Sequence, residues 1–451
     1  MRVDPRRAFY WHAFFLALTT SLTEVNTVMP ALVLEAGGTV VAVGALTAIM
    51  IGLPLVSQLL FAGFLHTRPR KKPYLLLGIN MRVLALAFGA AAILTVGISP
   101  LIIPAVFLAM TVFSLSGAFA GVSYTDLVGR LVRQDQRRVF FVRRQVISSL
   151  GLLVSAVVTR FLLGATAFPD GYAWLFAAAS GFLLVASAGF WALAEPRPAP
   201  APDASAPETS APDASAPGTL GRETSAGDTS GPEAPGPDAQ GRSGRSGRGG
   251  MAAALRQAPV LLRQDANLRS LILVVNLFAL GITSIPLVTA LALRTYEPSP
   301  ATVGTFVVIQ ISGMLLLAPV WTRVIRRGGF RLLLTVEVAL LVALFPLALV
   351  LSATAPLAAF AALYLLTGAI LSAQRISVDG ALVQISPDGS RALYAGVFGA
   401  ANLASAVLPL LTGVLVSSVG YPVVFVAASI AAAGALGPVR RLECGTWYQS
   451  G

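Results

Sequence analysis

Long apolar runs alternate with short polar interruptions over most of this 451-residue chain. Because a helix needs about 20 apolar residues to cross the hydrocarbon core of a bilayer, each run can form one membrane span. Six runs lie in the first part of the chain, at residues 9–34, 40–65, 74–98, 101–125, 139–163 and 172–194. Six more lie in the second part, at residues 268–293, 301–324, 330–351, 356–376, 393–416 and 421–436. The pattern predicts an all-α integral membrane protein with twelve spans, which we number 1 to 12.

The segment between the two groups of spans has a different composition. Residues 195–250 are mostly Pro, Ala, Ser, Gly, Asp, Glu and Arg, and they include the tandem sequence APDASAP at 201–207 and 211–217. Such a segment has too little apolar surface to offset the entropy of ordering its backbone. We therefore predict a six-helix bundle at 1–194, a disordered linker at 195–265, a second six-helix bundle at 266–441 and a tail at 442–451. Residues 251–269 form either a short helix on the membrane surface or a plain connector.

The composition supports a membrane protein and gives its orientation. Hydrophobic residues make up 56% of the chain and charged residues only 12%, far from the values of soluble domains. The formal net charge of +12 does not indicate nucleic-acid binding, because the Lys and Arg residues fall at one set of span ends, as the positive-inside rule requires. We expect a plasma-membrane protein, a monomer embedded in the lipid bilayer, with both termini and the linker in the cytoplasm. The first run is too long for a cleavable signal and contains Glu24.

Few residues suggest catalysis or a cofactor. One cysteine, Cys444, and two histidines leave no multi-cysteine or histidine-rich metal site, and we expect no cofactor. The chain has no phosphate-binding Gly-x-x-x-x-Gly-Lys loop and neither the His-Glu-x-x-His nor the Gly-x-Ser-x-Gly pattern. We therefore expect that the protein is not an enzyme.

The two groups of spans are similar in sequence. A shift of 255 residues places the basic segment after span 2 on that after span 8, and a shift of 253 does the same after spans 4 and 10. The matched pairs are Thr67 with Thr322, Arg68 with Arg323, Lys71 with Arg326, Lys72 with Arg327, Asp126 with Asp379, Asp135 with Asp388 and Arg138 with Arg391. Parallel repeats of this kind occur in secondary transporters that bind the solute between the two halves.

This architecture resembles the major facilitator superfamily, whose loop after span 2 reads Gly-x-x-x-Asp-Arg-x-Gly-Arg-Lys. The matching residues here are Gly63, Arg68, Lys71 and Lys72. Thr67 stands at the Asp position and Arg70 at the second Gly position. The resemblance implies two pseudo-symmetric six-helix bundles around a central cavity, and it implies that this basic loop belongs to a cytoplasmic gate.

Glu24 is the main candidate for proton coupling. It lies thirteen residues beyond Trp11 in span 1, about 20 Å along a helix and thus near the middle of the membrane. An ionisable group at that depth costs about 2.5–3.5 kcal/mol, and burial favours its neutral form, which suits a group that loads and releases a proton. The alternative is a glutamate that only fastens helices through Thr23, Asn26 and Thr27.

Further polar residues lie in spans that the resemblance places at the cavity: Asn26, Gln58, Asn276, Gln310, Gln374 and Asn402. Together they predict a polar but sparsely charged cavity, suited to neutral, amphipathic or weakly charged solutes. Each one alone is also explained as an interhelical hydrogen-bonding residue.

Charged residues at the cytoplasmic ends of spans are candidates for a gate between the halves: Asp126, Arg138, Asp379 and Arg391. Their alternative role is to fix topology and keep the loops soluble. We expect Arg82 in span 3 to reach the lipid headgroups and Glu337 in span 9 to meet a loop arginine. In span 4, Gly117 and Gly121 would let helices approach closely.

The sequence therefore predicts a secondary transporter of a small organic solute, with proton-coupled efflux as one form. The alternative is a membrane module without transport activity, such as a lipid- or pigment-binding assembly factor or a sensor.

Overall fold

We analysed a computed structural model of the chain. It describes residues 5–66, 68, 70–99, 101–132, 136–191, 193, 261–386, 394, 397–399, 401–402 and 406–443. The predicted linker lies outside the described residues except for its last five, 261–265, and so does the tail beyond residue 443.

The first six spans are helical over nearly their whole described length. Span 1 consists of two helices, Pro5–Leu22 and Val28–Glu35, and span 2 consists of Val40–Thr47, a π-helical turn at Ala48–Gly52 and Leu53–His66. Spans 3 to 6 are the single helices Lys72–Val96, Ile102–Leu131, Arg137–Ala165 and Asp170–Trp191.

The second six spans follow the same plan. Span 7 is the helix Ala266–Tyr296, and spans 8 and 9 form the continuous run Pro300–Thr354, which turns at Gly328 and Gly329. Gly329 has a φ of +65°, a conformation that glycine adopts without strain. Span 10 is Leu357–Ala361 with Leu363–Ile385, span 11 is described over Leu408–Val419, and span 12 is Tyr421–Gly434 with Leu436–Arg441.

Among the described residues, nine helices are long and apolar enough to cross a membrane. Three features explain why nine such helices are found among the described residues and not the twelve predicted spans. Span 1 is divided, spans 8 and 9 count as one helix, and only part of span 11 is described. Large apolar side chains on the outside of the bundles, such as Phe161 at 71% exposure and Ile430 at 66%, are suited to lipid contact.

Each group of six spans has its own core, and the core of the first group extends to Val303, Val307 and Ile311 of span 8. Phe9 lies at the centre of the first, with its ring edge-on to Tyr124, Phe140 and Phe190 at centroid distances of 5.3, 5.9 and 5.5 Å. The second core contains Phe345 of span 9, whose ring lies 5.1 Å from that of Phe425 in span 12. We call the two groups the first and second bundle.

The bundles have two distinct ends. We call the end where span 2 meets span 3 and span 8 meets span 9 the arginine-rich end, and the opposite end, with connections such as 36–39 and 297–299, the short-loop end. At the short-loop end the bundles are in contact through glycines. A Cβ on Gly44 would lie 2.3 Å from the carbonyl oxygen of Pro409, and one on Gly304 would lie 2.4 Å from the Cα of Arg160. Only glycine lets the backbones of the two bundles come this close.

Candidate functional site

A cavity of about 390 Å³ lies between the two bundles. Its polar lining comes from spans 1, 3, 8 and 10, and consists of Thr20, Ser21, Thr23, Glu24, Asn26, Arg82, Gln310, Gln374 and Arg375. Four of the predicted site residues therefore lie together here: Glu24, Asn26, Gln310 and Gln374. Apolar side chains such as Met50, Phe113 and Leu371 complete the walls. A largely apolar cavity with a few convergent polar groups is the usual form of a small-molecule site.

Glu24 lies where span 1 is interrupted, at residues 23–27. Its Oε1 accepts hydrogen bonds from Asn26 Nδ2 at 2.7 Å and from Gln310 Nε2 at 3.1 Å. Its Oε2 accepts from the backbone N–H of Asn26 at 2.7 Å and from the hydroxyl of Thr27 at 2.8 Å. Both predicted roles of Glu24 thus meet in one place, since the carboxyl group faces the cavity and also links span 1 to span 8.

A second link between the bundles uses a carbonyl that a proline leaves unpaired. Pro30 has no N–H, so the carbonyl oxygen of Asn26, four residues earlier, lacks its usual helical donor. The hydroxyl of Thr289 in span 7 donates to this oxygen at 2.6 Å, and the hydroxyl of Tyr364 in span 10 donates to Thr289 at 3.0 Å. The second bundle thereby satisfies the interrupted backbone of the first, as a helix break inside a bilayer requires.

Span 2 contributes its π-helical turn, Ala48–Gly52, to the cavity. Met50 and Ile51 of this turn line the cavity, and a Cβ on Gly52 would lie 2.6 Å from the Cα of Ala406 in span 11. A π-turn widens a helix locally and is frequent at functional sites. Here it brings two apolar side chains to the cavity and keeps span 2 against the second bundle.

Two arginines make the cavity more charged than the sequence analysis predicted. The guanidinium of Arg82 lies 4.1 Å from the centre of the Phe113 ring, inside the first bundle, instead of reaching the headgroup level. Gly117 gives the guanidinium room, because a Cβ there would lie 3.3 Å from Arg82 Nε, closer than ordinary van der Waals contact. Arg375 lies near the end of predicted span 10 and was not predicted to face the cavity, but it lines the cavity from the second bundle. Both expectations, a sparsely charged cavity and a headgroup role for Arg82, were wrong.

Burial along span 1 shows that the cavity is closed at one end. Thr20 is exposed and Glu24 is half-buried, but residues 28–33, nearer the short-loop end, are all buried. Residues 283–292 of span 7 are also all buried. These two segments close the cavity toward the short-loop end, and the exposed side chains of Thr20 and Arg375 lie on the side toward the arginine-rich end.

Three of the predicted cavity residues lie elsewhere. Asn276 donates through Nδ2 to Oδ1 of Asn402 at 3.0 Å and to the carbonyl of Ile272 at 2.9 Å. This pair joins span 7 to span 11 inside the second bundle, which is the interhelical role that the sequence analysis left open. Gln58 is an exposed residue of span 2 and is not among the residues that line the cavity.

The basic loop after span 2 makes its described contacts within the first bundle. Lys72 Nζ donates to the carbonyls of Trp191 and Leu193, both at 2.7 Å, at the end of span 6. Lys71 Nζ donates to the carbonyl of Leu65, and the Arg68 guanidinium lies 5.0 Å from the centre of the Phe64 ring. Lysines bound to the last carbonyls of a helix stabilise that end. A gating role for this loop therefore stays a prediction.

The remaining gate candidates are described only in part. Asp126 lies near the end of span 4 and Asp379 is an exposed residue near the end of span 10, both at the arginine-rich end. Gly63 lies within the helix of span 2, but its surroundings are not described, and neither is the side chain of Arg138; Arg391 lies outside the described residues.

Glu337 differs from the expectation that it meets a loop arginine. It is 0% exposed and its Oε2 accepts a hydrogen bond from the hydroxyl of Ser377 at 2.8 Å, between spans 9 and 10. Its Oε1 has no hydrogen-bond partner among the described residues. Glu337 is thus an interior residue of the second bundle.

A second cavity of about 510 Å³ lies inside the first bundle. Its lining includes His12, Arg82, Gly121, Tyr124 and Arg144, so that Arg82 borders both cavities. The guanidinium of Arg144 lies 5.3 Å from the centre of the Tyr124 ring. Gly121 has open space where a Cβ would be, so in span 4 one predicted packing glycine accommodates Arg82 and the other faces this cavity.

Comparison with known proteins shows what fold this arrangement belongs to. No protein-family model matches the chain, and no curated protein sequence matches it. Solved structures do match over nearly the whole length. The nucleoside transporter NupG has a TM-score of 0.63 at 11% identity, covering 98% of this chain and 99% of its own.

Two structures of POT family transporters match with similar TM-scores. A POT family transporter in complex with 5-aminolevulinic acid has a TM-score of 0.67 at 11% identity, covering 96% of this chain and 94% of its own. An auto-inhibited POT family peptide transporter has a TM-score of 0.64 at 14% identity, covering 100% and 99%. At such identities the likeness concerns the fold. The prediction of two six-span bundles is confirmed: the chain has the twelve-span fold of the major facilitator superfamily.

Proposed function

We propose that the protein is a secondary transporter that moves a small organic solute across the plasma membrane by alternating access. The observation that supports this most directly is the cavity between the bundles, which is lined by polar groups from both and which the described residues close at the short-loop end. In transporters built from parallel repeats, the solute binds between halves that move against each other. The solved structures with the same fold are those of transporters, which agrees with this proposal.

The arginine-rich end faces the cytoplasm in this proposal, because basic residues are retained on that side of a membrane. The conformation described here is then open toward the cytoplasm and closed toward the outside. To reach the opposite state, the glycine contacts at Gly44 and Gly304 must separate and the arginine-rich ends of the bundles must close.

Glu24 is the proposed coupling group. The carboxyl group of Glu24 is the acceptor in all four of its hydrogen bonds, an arrangement that suits an ionised carboxylate. When Glu24 takes up a proton, one of its oxygens becomes a hydroxyl group that donates a hydrogen bond. This hydroxyl group faces groups that are themselves donors, so at least one of the four hydrogen bonds is lost. The bond from Gln310 is the one of the four that comes from the other bundle, so when protonation breaks this bond it weakens a contact between the bundles. That gives a physical link between proton uptake and their separation.

Flux measured in vesicles tests the transport proposal. The purified full-length protein is reconstituted, supplied with a mixture of small metabolites under an imposed proton gradient, and the accumulated solutes are identified by mass spectrometry. We expect accumulation of at least one solute that collapses when a protonophore dissipates the gradient. A solute that raises the melting temperature of the protein but never accumulates would contradict transport and favour the non-transporting module.

Substitution at Glu24 tests the coupling. Glu24→Gln keeps the size of the side chain but cannot bind or release a proton, so gradient-driven accumulation should be lost while exchange of solute without a gradient persists. Thr27→Val is the matched control, because it removes one donor to the same carboxyl group and leaves the proton site intact. If Glu24→Gln accumulates solute with an unchanged pH profile, Glu24 only fastens helices.

A further inference from the structure

The acidic group of the cavity is already saturated with hydrogen bonds. An ionised carboxylate offers about four lone-pair positions. In Glu24 four donors occupy them: two from Asn26, one from Thr27 and one from Gln310. No acceptor position is left over with which this carboxylate could bind the ammonium group of a solute.

The basic groups of the cavity are in the opposite situation. Arg82 Nε is buried and has no hydrogen-bond partner, and within the described part of the chain no carboxylate forms an ion pair with this arginine. The ring of Phe113 lies against its guanidinium, and the imidazole of His12 is close enough to interact with its charge. A guanidinium group inside a membrane protein without a counter-charge costs free energy. An anion that binds in the cavity would supply the missing counter-charge.

Arg375 faces the same cavity from the second bundle. Its side chain is exposed, and it interacts electrostatically with Asp379, one helical turn farther toward the arginine-rich end. The apolar side chains of Met50, Met314 and Leu371 lie between these polar regions on the cavity wall. The cavity thus combines two guanidinium groups, one from each bundle, with apolar walls.

We propose that the solute is a small organic anion, with a carboxylate or another singly charged oxyanion on an apolar body, and that Arg82 and Arg375 bind its charged group. Guanidinium groups bind such oxyanions through paired N–H donors, and an apolar body fits the remaining wall. The inference rests on the proposed transport function and names the class of its solute. It replaces the neutral or weakly charged solute that the sequence alone predicted.

The second cavity adds to the attraction of an anion. Arg82 borders it, and Arg144 and His12 line it, so its described charged groups are cationic or neutral. A cleft lined by one sign of charge raises the local concentration of the opposite ion. The cationic lining of this cavity therefore adds to the positive potential that an anion meets at Arg82.

Cysteine labelling with charged reagents tests this without knowledge of the solute. The native Cys444 is replaced by Ser and a single cysteine is placed in the cavity by Thr20→Cys, an exposed lining position. The full-length protein in phosphatidylcholine nanodiscs, which contain no anionic lipid, is labelled with methanethiosulfonate ethylsulfonate, an anion, and with its ethyltrimethylammonium counterpart, a cation. Each rate is divided by the rate of the same reagent with a free thiol.

We expect the normalised rate of the anionic reagent to exceed that of the cationic one by on the order of ten-fold. The ratio should fall several-fold in Arg82→Gln and in Arg375→Gln and should decrease with added salt. Arg160→Gln, at an exposed arginine near the short-loop end, is the control and should leave the ratio unchanged. Because Arg375 is exposed, its substitution remains informative even if Arg82→Gln does not fold.

A ratio at or below one overturns the proposal, and so does a ratio above one that neither cavity substitution reduces. The labelling ratio does not depend on whether the protein transports a solute. A protein with the expected ratio but no solute accumulation contradicts transport alone, and a protein that accumulates a neutral or cationic solute with a ratio below one contradicts the anion alone.

Discussion

Spans 1 and 7 occupy corresponding places in the two bundles, and each contains a proline, yet only span 1 is interrupted. Pro30 and Pro286 are related by a shift of 256 residues, close to the shifts that relate the basic loops. Span 7 is one helix from Ala266 to Tyr296 with Pro286 inside it, while span 1 loses its helical structure over residues 23–27. Proline alone therefore does not explain the interruption.

The two spans differ in the residue that lies six positions before the proline, which is Glu24 in span 1. Both spans have a threonine three positions before it. Thr283 donates to the carbonyl of Ala279 in its own helix at 2.6 Å, whereas Thr27 donates to the carboxyl group of Glu24 at 2.8 Å. At the corresponding place span 7 has Leu280. A side chain that accepts hydrogen bonds from nearby backbone and hydroxyl donors competes with the helix for them. We infer from the comparison that the carboxyl group of Glu24 interrupts span 1, which the first substitution below tests.

The largest effect is expected from Glu24→Leu, which makes span 1 like span 7. The backbone N–H of Asn26 and the hydroxyl of Thr27 should return to helical carbonyls, and Gln310 should lose its partner. We expect slower hydrogen exchange at residues 23–27 and a loss of gradient-driven flux of about 100-fold or more, the scale of a lost proton-transfer group. Unchanged exchange at 23–27 would mean that Pro30 or the packing around it causes the interruption.

A smaller effect is expected from Thr289→Val, which removes the donor to the carbonyl of Asn26 and an acceptor for Tyr364. Leaving such buried groups unpaired costs about 1–3 kcal/mol, so thermal unfolding should occur at a clearly lower temperature. Thr283→Val is the control in the same span, because that hydroxyl donates only within its own helix. Equal losses in the two variants would contradict a role of Thr289 in joining the bundles.

A smaller difference still should separate Pro30→Ala from Pro286→Ala. The second variant restores a helical donor to the carbonyl of Ile282, whereas the first adds a donor to a carbonyl that already accepts from Thr289. We expect Pro286→Ala to be the more stable of the two by about 1 kcal/mol, the net value of one hydrogen bond. Urea or thermal unfolding of the purified variants measures it, and the opposite order would show that span 1 gains more from a complete helix.

The smallest effect is expected from deletion of residues 198–248, most of the polar linker. If this segment only tethers the bundles, insertion, melting temperature and flux should all match those of the full chain, and the hydrogen bond between Thr289 and Asn26 should persist. Loss of flux in a well-folded deletion would assign the linker a function of its own.

The number and order of the spans follow directly from the hydrophobic runs, because a bilayer requires about 20 apolar residues per helix. The position of Glu24 at the cavity also agrees with its depth in span 1. The sequence did not predict the interruption at residues 23–27. The interruption depends on whether each N–H or hydroxyl donor bonds to a helical carbonyl or to the carboxyl group of Glu24, and local geometry decides that choice.

The roles of the arginines were harder to predict for a different reason. Distance along a span gives depth but not the face of the helix that meets the cavity. Arg82 and Arg375 both lie close enough to a span end to be interpreted as interfacial residues. The one signal in the sequence was Gly117, which leaves the space that the guanidinium of Arg82 occupies. Asn276 and Asn402 are likewise at the right depth for a cavity but turn toward each other.

The glycine contacts between the bundles affect how easily they separate. At Gly44, the neighbours of a Cβ would be backbone atoms of Pro409 and Gly413, so two smooth backbones touch with no interlocked side chains between them. A contact of this kind separates without any change of side-chain rotamer. Elsewhere the bundles are joined by apolar packing, since Val303, Val307 and Ile311 of span 8 lie in the core of the first bundle, so separating them exposes apolar surface that must find a new partner.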